Sequence, residues 1–128
     1  MPGRLPADTL ERLERALRES TAAHALLALH HQPLAVGSPW IDRYPLQEAQ
    51  VFFAVVDRHQ EVRGIAWGHV HQDFEAERNG VRLLGSPSTV ANSLPGRTEF
   101  TPDLAGPACR WLELGPGGEI ETGLVRPR

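Results

Sequence analysis

The chain contains 128 residues, which is enough for one small domain. Its apolar fraction of 41% and charged fraction of 23% are ordinary for globular proteins and exclude an intrinsically disordered chain. The formal net charge is −3 and every basic residue is an arginine, so the sequence excludes a broad basic surface for a nucleic-acid backbone. A small nucleotide remains compatible with this charge, because one polar pocket can hold it.

The sequence also shows neither a membrane span nor a disulfide framework. No apolar run approaches the ~20 residues that cross a bilayer, and the residues after Met1 lack the apolar core of a signal peptide. The single cysteine, Cys109, cannot form an internal disulfide, which is typical of a reducing compartment. We therefore expect a cytoplasmic protein that does not interact with membranes.

The beginning of the chain predicts a helix followed by a buried strand. Residues 8–19 carry leucine and alanine at helical spacing, with Asp8 as the N-cap and Glu11 completing a capping box. Residues 23–29 form a short run that is apolar on both faces, which favours a strand in a covered, largely parallel sheet. Periodicity alone would also permit a helix, and the loop at 37–39 favours the strand.

The next segment predicts a second helix and a second buried strand. Pro45 suits the first turn of a helix over residues 46–58, where apolar residues repeat at spacings of three and four. Residues 62–67 form another short apolar run. Strand, helix and strand in this order form a βαβ unit, so we expect the two strands to be parallel.

Two hairpins and one long loop complete the prediction. Asn79-Gly80 is a strong two-residue turn between strands at 74–77 and 81–84. Residues 88–106 predict a loop over the site, since long loops in compact domains are usually functional or disordered. A glycine-rich turn then predicts a closing hairpin, made of residues 109–114 and 120–125, on an edge of the sheet.

Four of the six histidines occur in two pairs, each directly after a predicted buried strand. His30 and His31 follow the first strand, and His69 and His71 follow the second. Open α/β sheets place their sites at the carboxyl ends of such strands. Residues two apart in an extended chain point to the same side, so we expect His69 and His71 to face one region. Because imidazole suits zinc, iron and similar transition metals, the pattern predicts a metal site.

Several segments resemble those of a known enzyme family. Leu29-His30-His31-Gln32-Pro33-Leu34 and Gly68-His69-Val70-His71-Gln72 resemble the last two metal-binding motifs of the metallophosphoesterases. Three further segments narrow the resemblance to the class III bacterial 3′,5′-cyclic-AMP phosphodiesterases of the calcineurin-like superfamily: Ser38-Pro39-Trp40-Ile41-Asp42, Asn79-Gly80-Val81-Arg82-Leu83-Leu84 and Ser86-Pro87-Ser88-Thr89. The resemblance covers nearly the whole chain.

This resemblance implies an α/β fold that is the C-terminal half of a four-layer αββα metallophosphoesterase sandwich. Residues 1–128 would then be the C-terminal part of a metallophosphoesterase domain. The resemblance also implies that His31 and His69 bind one metal ion and that His71 binds a second. The neighbouring His30 is expected to be a catalytic residue on the substrate side.

The family's reaction supplies the remaining expectations. Iron, manganese or zinc ions activate a water or hydroxide that attacks phosphorus, and cyclic AMP is hydrolysed to 5′-AMP. The expected partner is therefore a small-molecule cyclic nucleotide. A substrate-binding role is expected for Trp40, Asp42, Ser88 and Thr89. Packing by Trp40 and turn capping by Ser88 and Thr89 are equally consistent with the sequence.

The sequence departs from the family pattern because the first three metal motifs are missing. No Asp-x-His follows a first strand, and neither a Gly-Asp pair nor a Gly-Asn-His segment occurs. Asp57-Arg58-His59 has the letters of the first motif, but it ends a predicted helix. Without a bridging carboxylate two like-charged ions would repel each other, so a binuclear centre is not expected in this chain alone.

Three interpretations therefore stay open. The chain is part of a metal-dependent phosphodiesterase, or an inactive remnant or subunit that requires a separate N-terminal half. The third interpretation is a mononuclear metal-binding module with His31, His69 and His71 as its ligands. The two buried-strand patterns have no visible covering partner. We therefore expect an exposed sheet edge and apolar face, which favour a homo-oligomer or association with the missing half.

Overall fold

A four-stranded mixed sheet separates two helices from a β-hairpin in the computed structural model, which describes residues 1–128. The helices and strands are α1 (Ala7–Glu19), β1 (Ala25–Leu29), α2 (Pro39–Asp42), α3 (Ala49–Val56), β2 (Val62–Trp67), β3 (Phe74–Arg78), β4 (Val81–Gly85), β5 (Cys109–Leu114) and β6 (Ile120–Val125). The predicted α/β class is confirmed.

The main sheet has the strand order β1-β2-β4-β3. β1 is parallel to β2 and β2 is parallel to β4, so the predicted parallel pair across α3 is confirmed. β3 is antiparallel to β4. The turn between them places Asn79 at φ 52° and Gly80 at φ 78°, the left-handed conformations that a tight two-residue hairpin needs.

One face of the main sheet packs against α1 and α3. Leu17 of α1 and Phe52 and Val56 of α3 contact the face that carries Ile65 and Trp67 of β2, and all five side chains are buried. Each large apolar side chain removed from water in this way contributes about 1.5–3 kcal/mol. This layer holds β1 and β2 side by side, so their carboxyl ends lie at one edge of the domain.

The β5–β6 hairpin stacks on the opposite face of the main sheet as a separate two-stranded sheet. The prediction that it joins an edge of the main sheet was wrong. The stacking depends on Gly64 of β2, where an added Cβ would lie 2.5 Å from Cδ1 of Ile120. Arg82 donates to the Ile120 carbonyl at 2.8 Å, and Arg110 donates to the Gly85 carbonyl at 3.0 Å. The domain therefore has a helical layer, a sheet and part of a second sheet.

The prediction that Asp8 is the N-cap of α1 was wrong. The helix begins at Ala7 with Pro6 in the N-cap position, and no side chain caps it. Asp8 instead lies in the first turn, where its negative charge interacts favourably with the positive end of the helix dipole.

None of the helices has both the length and the apolar character needed to cross a membrane.

The second predicted helix is shorter than expected, because α3 begins only at Ala49. The amide of Leu46 donates to the Gln32 carbonyl at 2.9 Å, and the amide of Gln47 donates to the Gly3 carbonyl at 2.8 Å. These long-range bonds hold residues 46–47 outside the helix. Residues 39–42 form the short helix α2, so the predicted loop at 37–39 ends at Ser38.

Residues 86–108 form the expected long loop without a helix or a strand. The buried side chain of Asn92 organises it. Its Oδ1 accepts a hydrogen bond from the Ser88 amide at 2.6 Å. Its Nδ2 donates to the carbonyls of Ser88 and Gly106 at 3.0 and 2.9 Å.

Candidate metal centre

Three histidines converge at the carboxyl ends of β1 and β2. The potential ligand atoms of His30, His31 and His69 all lie within 4.8 Å of one another. The ring centroids of His31 and His69 are 4.3 Å apart, and those of His30 and His69 are 5.0 Å apart. His30 is exposed and the other two rings are half-buried, so a ligand can reach the group from solvent. We call these three residues the histidine group.

The surroundings of the histidine group lower the pKa of two of its rings, His30 and His69. The pKa of His69 is lowered to about 4, first by burial and then by the charges of His31 and His30. The pKa of His30 is lowered first by burial and then by the charges of His31 and His71. A neutral imidazole keeps the lone pair that a metal ion requires.

The donor set fits a transition-metal ion. Nε2 of His69 is a buried polar atom that has no hydrogen-bond partner in the protein. Buried polar atoms without partners are uncommon, and an ion is one of the partners that accounts for them. Three imidazoles without a carboxylate suit zinc, iron or a similar metal better than magnesium or calcium.

Backbone carbonyls fix the tautomers of two histidines. Nε2 of His31 lies 3.0 Å from the Met1 carbonyl, and Nδ1 of His71 lies 2.8 Å from the Ala91 carbonyl. A carbonyl only accepts, so in each pair the ring nitrogen donates. In the neutral form of each ring this leaves the lone pair on Nδ1 of His31 and on Nε2 of His71. Metal-binding histidines commonly have one ring N–H held in this way.

His71 does not belong to the histidine group, and the reasoning that placed it beside His69 was wrong. His69 and His71 are not in an extended chain, because their φ angles are 64° and 51°. Val70 between them is fully buried. The His71 ring packs against Phe100 of the long loop, with a centroid distance of 6.3 Å. It still lies near enough to lower the pKa of His30, and its role as a metal ligand stays a prediction.

The carboxylate of Asp42 accepts hydrogen bonds from the preceding loop, and its substrate-binding role stays a prediction. Oδ1 accepts a hydrogen bond from the Val36 amide at 2.9 Å. Oδ2 accepts from the amides of Gly37 and Ser38 at 3.0 and 3.1 Å. Both oxygens are engaged, so Asp42 shapes the loop that follows the first histidine pair.

The three other predicted substrate residues lie outside the histidine group. Trp40 is half-buried and packs edge-on against Phe100, with ring centroids 5.2 Å apart. The Ser88 hydroxyl accepts a hydrogen bond from the Val90 amide at 3.0 Å, which is a turn-capping contact. Thr89 is exposed. Substrate-binding roles for Trp40, Ser88 and Thr89 stay predictions.

The Asp57-Arg58-His59 segment has no part in the histidine group. Asp57 pairs with Arg78, and the ring nitrogens of His59 lie 3.0 and 3.2 Å from the carboxylates of Glu14 and Glu61. These contacts agree with the interpretation that this segment is not the family's first metal motif.

Sequence reasoning missed a buried polar contact that joins the loops around the site. The Ser38 hydroxyl donates to Oε1 of Gln72 at 2.9 Å and accepts from the Gly96 amide at 2.8 Å. Ser38 is fully buried and Gln72 is 3% exposed. Ser38 thereby connects the loop after β1, the loop after β2 and the long loop. The available signal was that Ser38 and Gln72 both lie inside the quoted motifs.

The fold resembles that of a solved two-metal enzyme. A crystal structure of a dimetal phosphatase from Danio rerio matches this chain with a TM-score of 0.52 and 17% sequence identity, over 65% of this chain and 27% of that chain. The chain therefore has the fold of the metallophosphoesterases. No protein-family model matches the chain.

Sequence comparison narrows this class. The 3′,5′-cyclic adenosine monophosphate phosphodiesterase CpdA of Pseudomonas aeruginosa is 39% identical over 126 residues, which are 98% of this chain and 46% of that protein. The CpdA of Escherichia coli is 38% identical over 97% of this chain and 45% of its own length. A 3′,5′-cyclic-nucleotide phosphodiesterase of Nostoc is 41% identical over 97% of this chain and 47% of its own length.

The chain therefore belongs to the bacterial cyclic-AMP phosphodiesterase family and corresponds to its C-terminal part. It spans about half the length of the curated relatives that it matches.

Proposed function

We propose that residues 1–128 are the C-terminal part of a metallophosphoesterase domain that hydrolyses the 3′,5′-cyclic phosphodiester of cyclic AMP to 5′-AMP. The observation that carries the proposal is the histidine group, whose ligand atoms lie within 4.8 Å of one another. The missing motifs would come from a separate N-terminal half. The family relationship supports the cyclic nucleotide as substrate, because the relatives are named for that activity.

Within this proposal His31 and His69 bind one metal ion, His71 contributes to a second, and His30 faces the substrate. Iron, manganese or zinc would each suit these nitrogen ligands. When bound, such an ion supplies Lewis acidity toward a phosphoryl oxygen. His30 is exposed and its pKa is lowered, which favours the neutral ring. A neutral imidazole at this surface can form a hydrogen bond with a substrate or accept a proton from it.

The first test is metal binding by the chain alone. Titration calorimetry with Zn²⁺ should give a site that His69→Ala weakens by at least about tenfold, since one of three ligands is lost. His24→Ala is the matched control, because His24 precedes β1 at the other end of the strand and contacts the Pro116 carbonyl. Equal affinities for the wild type and His69→Ala would contradict a metal site in the histidine group.

The second test is hydrolysis. The chain would be assayed for Mn²⁺-dependent turnover of cyclic AMP, with and without chelator, alone and mixed with the N-terminal half of the Pseudomonas aeruginosa relative. Turnover that requires both halves and is removed by chelator would support the proposal. Chelator-sensitive turnover by the chain alone would show that the missing motifs are dispensable. Metal binding that never leads to turnover would contradict the proposed hydrolysis.

A mononuclear metal-binding module is the second candidate function. It is favoured by the histidine group, which contains His30 in place of the expected His71 and whose three imidazoles suffice for one ion with an open position. One bound ion per chain, unchanged by the added N-terminal half and without turnover, would support it. An absence of both metal binding and complementation would identify the chain as an inactive remnant. The cytoplasmic location and the homo-oligomer stay predictions, and size-exclusion chromatography would test the latter.

A further inference from the structure

We propose that Gly3 is a positioning residue for the metal centre: its backbone braces the His31 imidazole, and its missing side chain leaves the space that the ring needs to stay in the histidine group. This inference rests on the proposed function, because it takes His31 as a ligand. It concerns a segment that lies outside both histidine motifs and that no sequence pattern singled out.

The segment that carries Gly3 is fixed to the fold independently of His31. The Gly3 amide donates to the Pro45 carbonyl at 3.0 Å, and the Gly3 carbonyl accepts from the Gln47 amide at 2.8 Å. Gly3 also forms a parallel bridge with Leu46, and it is buried. The hydrogen bond from Gln47 is also one of the two that hold residues 46–47 outside α3. The backbone at Gly3 therefore cannot move freely away from the ring that it touches.

The contact between Gly3 and His31 leaves no room for a side chain. An ideal Cβ on Gly3 would lie 2.2 Å from Nδ1, 2.4 Å from Cγ and 2.8 Å from Cε1 of His31. Atoms at these separations overlap strongly, since carbon atoms in contact prefer about 3.5–4.0 Å. The other side of the ring is held as well, because Nε2 donates to the Met1 carbonyl. Any residue larger than glycine must displace either the ring or the anchored backbone.

The overlap falls on the nitrogen that matters for metal binding. With Nε2–H donating to Met1, the lone pair of neutral His31 is on Nδ1. The absent Cβ of Gly3 would lie closest to this same atom. A methyl group there would overlap the face of the ring at Nδ1 and would displace the ring, together with its lone pair, from the histidine group. The segment thus sets the tautomer of His31 through Met1 and the position of its ring through Gly3.

A second glycine at the site provides a matched control. A Cβ on Gly68 would meet only His30 Nδ1, at 3.7 Å, which is an ordinary van der Waals contact. Gly3→Ala and Gly68→Ala thus add the same methyl group beside two neighbouring imidazoles. Only the first is expected to force a rearrangement.

The first experiment uses NMR on the metal-free chain and does not depend on metal binding. In the wild type we expect nuclear Overhauser effects between the Gly3 Hα protons and the His31 ring, and a ¹⁵N signature of the Nε2–H tautomer. Gly3→Ala should change the His31 ring signals, and Gly68→Ala should leave them in place. Unchanged His31 signals in Gly3→Ala would overturn the proposal.

The second experiment measures Co²⁺ binding by the visible absorption of the bound ion. We expect Gly3→Ala to weaken binding by about 10–100-fold, the range found when a residue that supports a metal ligand is lost. Gly68→Ala should stay within about twofold of the wild type. Wild-type affinity in a folded Gly3→Ala variant would overturn the proposal. If the wild type binds no Co²⁺, the proposed function fails, and the NMR result alone decides whether Gly3 sets the ring.

A double variant covers the case in which Gly3→Ala does not fold. His31→Ala removes the ring that the new methyl group would meet, so Gly3→Ala should cost little stability in that background. Thermal unfolding of Gly3→Ala/His31→Ala at the temperature of His31→Ala would support the proposal. An equal loss of thermal stability from Gly3→Ala in both backgrounds would show that His31 is not what Gly3 accommodates.

Discussion

Replacement of Ser38 by alanine should destabilise the protein by about 1.5–4.5 kcal/mol. The Ser38 hydroxyl is fully buried and makes two hydrogen bonds, to Oε1 of Gln72 and from the amide of Gly96. The variant leaves the buried Gln72 oxygen without its partner, which costs about 1–3 kcal/mol. Gly96 is an exposed loop residue, so its amide can bind water in the variant. The loss of this second hydrogen bond therefore costs about 0.5–1.5 kcal/mol.

Urea unfolding followed by tryptophan fluorescence would measure this difference, with the slope m compared between variants. Two other serines provide a graded series. Ser93 is 1% exposed and its hydroxyl accepts one hydrogen bond, from Thr101, so Ser93→Ala should cost less than Ser38→Ala. Ser20 accepts one bond from an exposed amide, so Ser20→Ala should stay within about 0.5 kcal/mol of the wild type. A Ser38→Ala variant no less stable than Ser20→Ala would refute the reasoning.

Two further predictions concern packing and charge. Gly64→Ala should destabilise the protein by about 1–3 kcal/mol. The new Cβ would lie 2.5 Å from Cδ1 of Ile120 in the stacked hairpin and 2.9 Å from Cδ1 of Leu26. An unchanged urea midpoint would contradict the stacking of the hairpin on the sheet. The hydrogen bond from Arg78 holds the pKa of Asp57 below its ordinary value. This contribution is present above the unfolded-state pKa and is lost as the pH falls through the folded-state pKa. The melting temperature of the wild type should therefore exceed that of Asp57→Asn at neutral pH, with the difference vanishing in acid; a difference independent of pH would contradict the ion pair.

The strands could be predicted from the sequence because each is bounded by local signals. The apolar run at 62–67 and the hairpin at 109–125 have the predicted bounds, since turn residues end each strand within the sequence itself. The start of α3 could not be predicted, because it depends on hydrogen bonds to Gln32 and Gly3, which are distant in sequence. The stacking of the hairpin likewise depends on the space above Gly64, which periodicity does not describe.

The candidate site was predictable in its position but not in its backbone. The order of strands and histidines was enough to place His30, His31 and His69 at one edge of the sheet. The left-handed backbone at His69 and His71 could not be predicted from the sequence, since histidine does not indicate that conformation as glycine would. The support given to His31 by Gly3 could not be predicted either, because α1 and β1 separate the two residues in the sequence.

The left-handed backbone at His69 and His71 gives these two positions opposing demands. A residue with a Cβ adopts positive φ at a conformational cost of order 1–3 kcal/mol, which glycine avoids. Selection of variants for thermal resistance alone would therefore enrich glycine or asparagine at both positions and discard the imidazoles. A library sorted once for heat tolerance and once for zinc retention should diverge at these two codons, while the buried Val70 between them stays apolar in both.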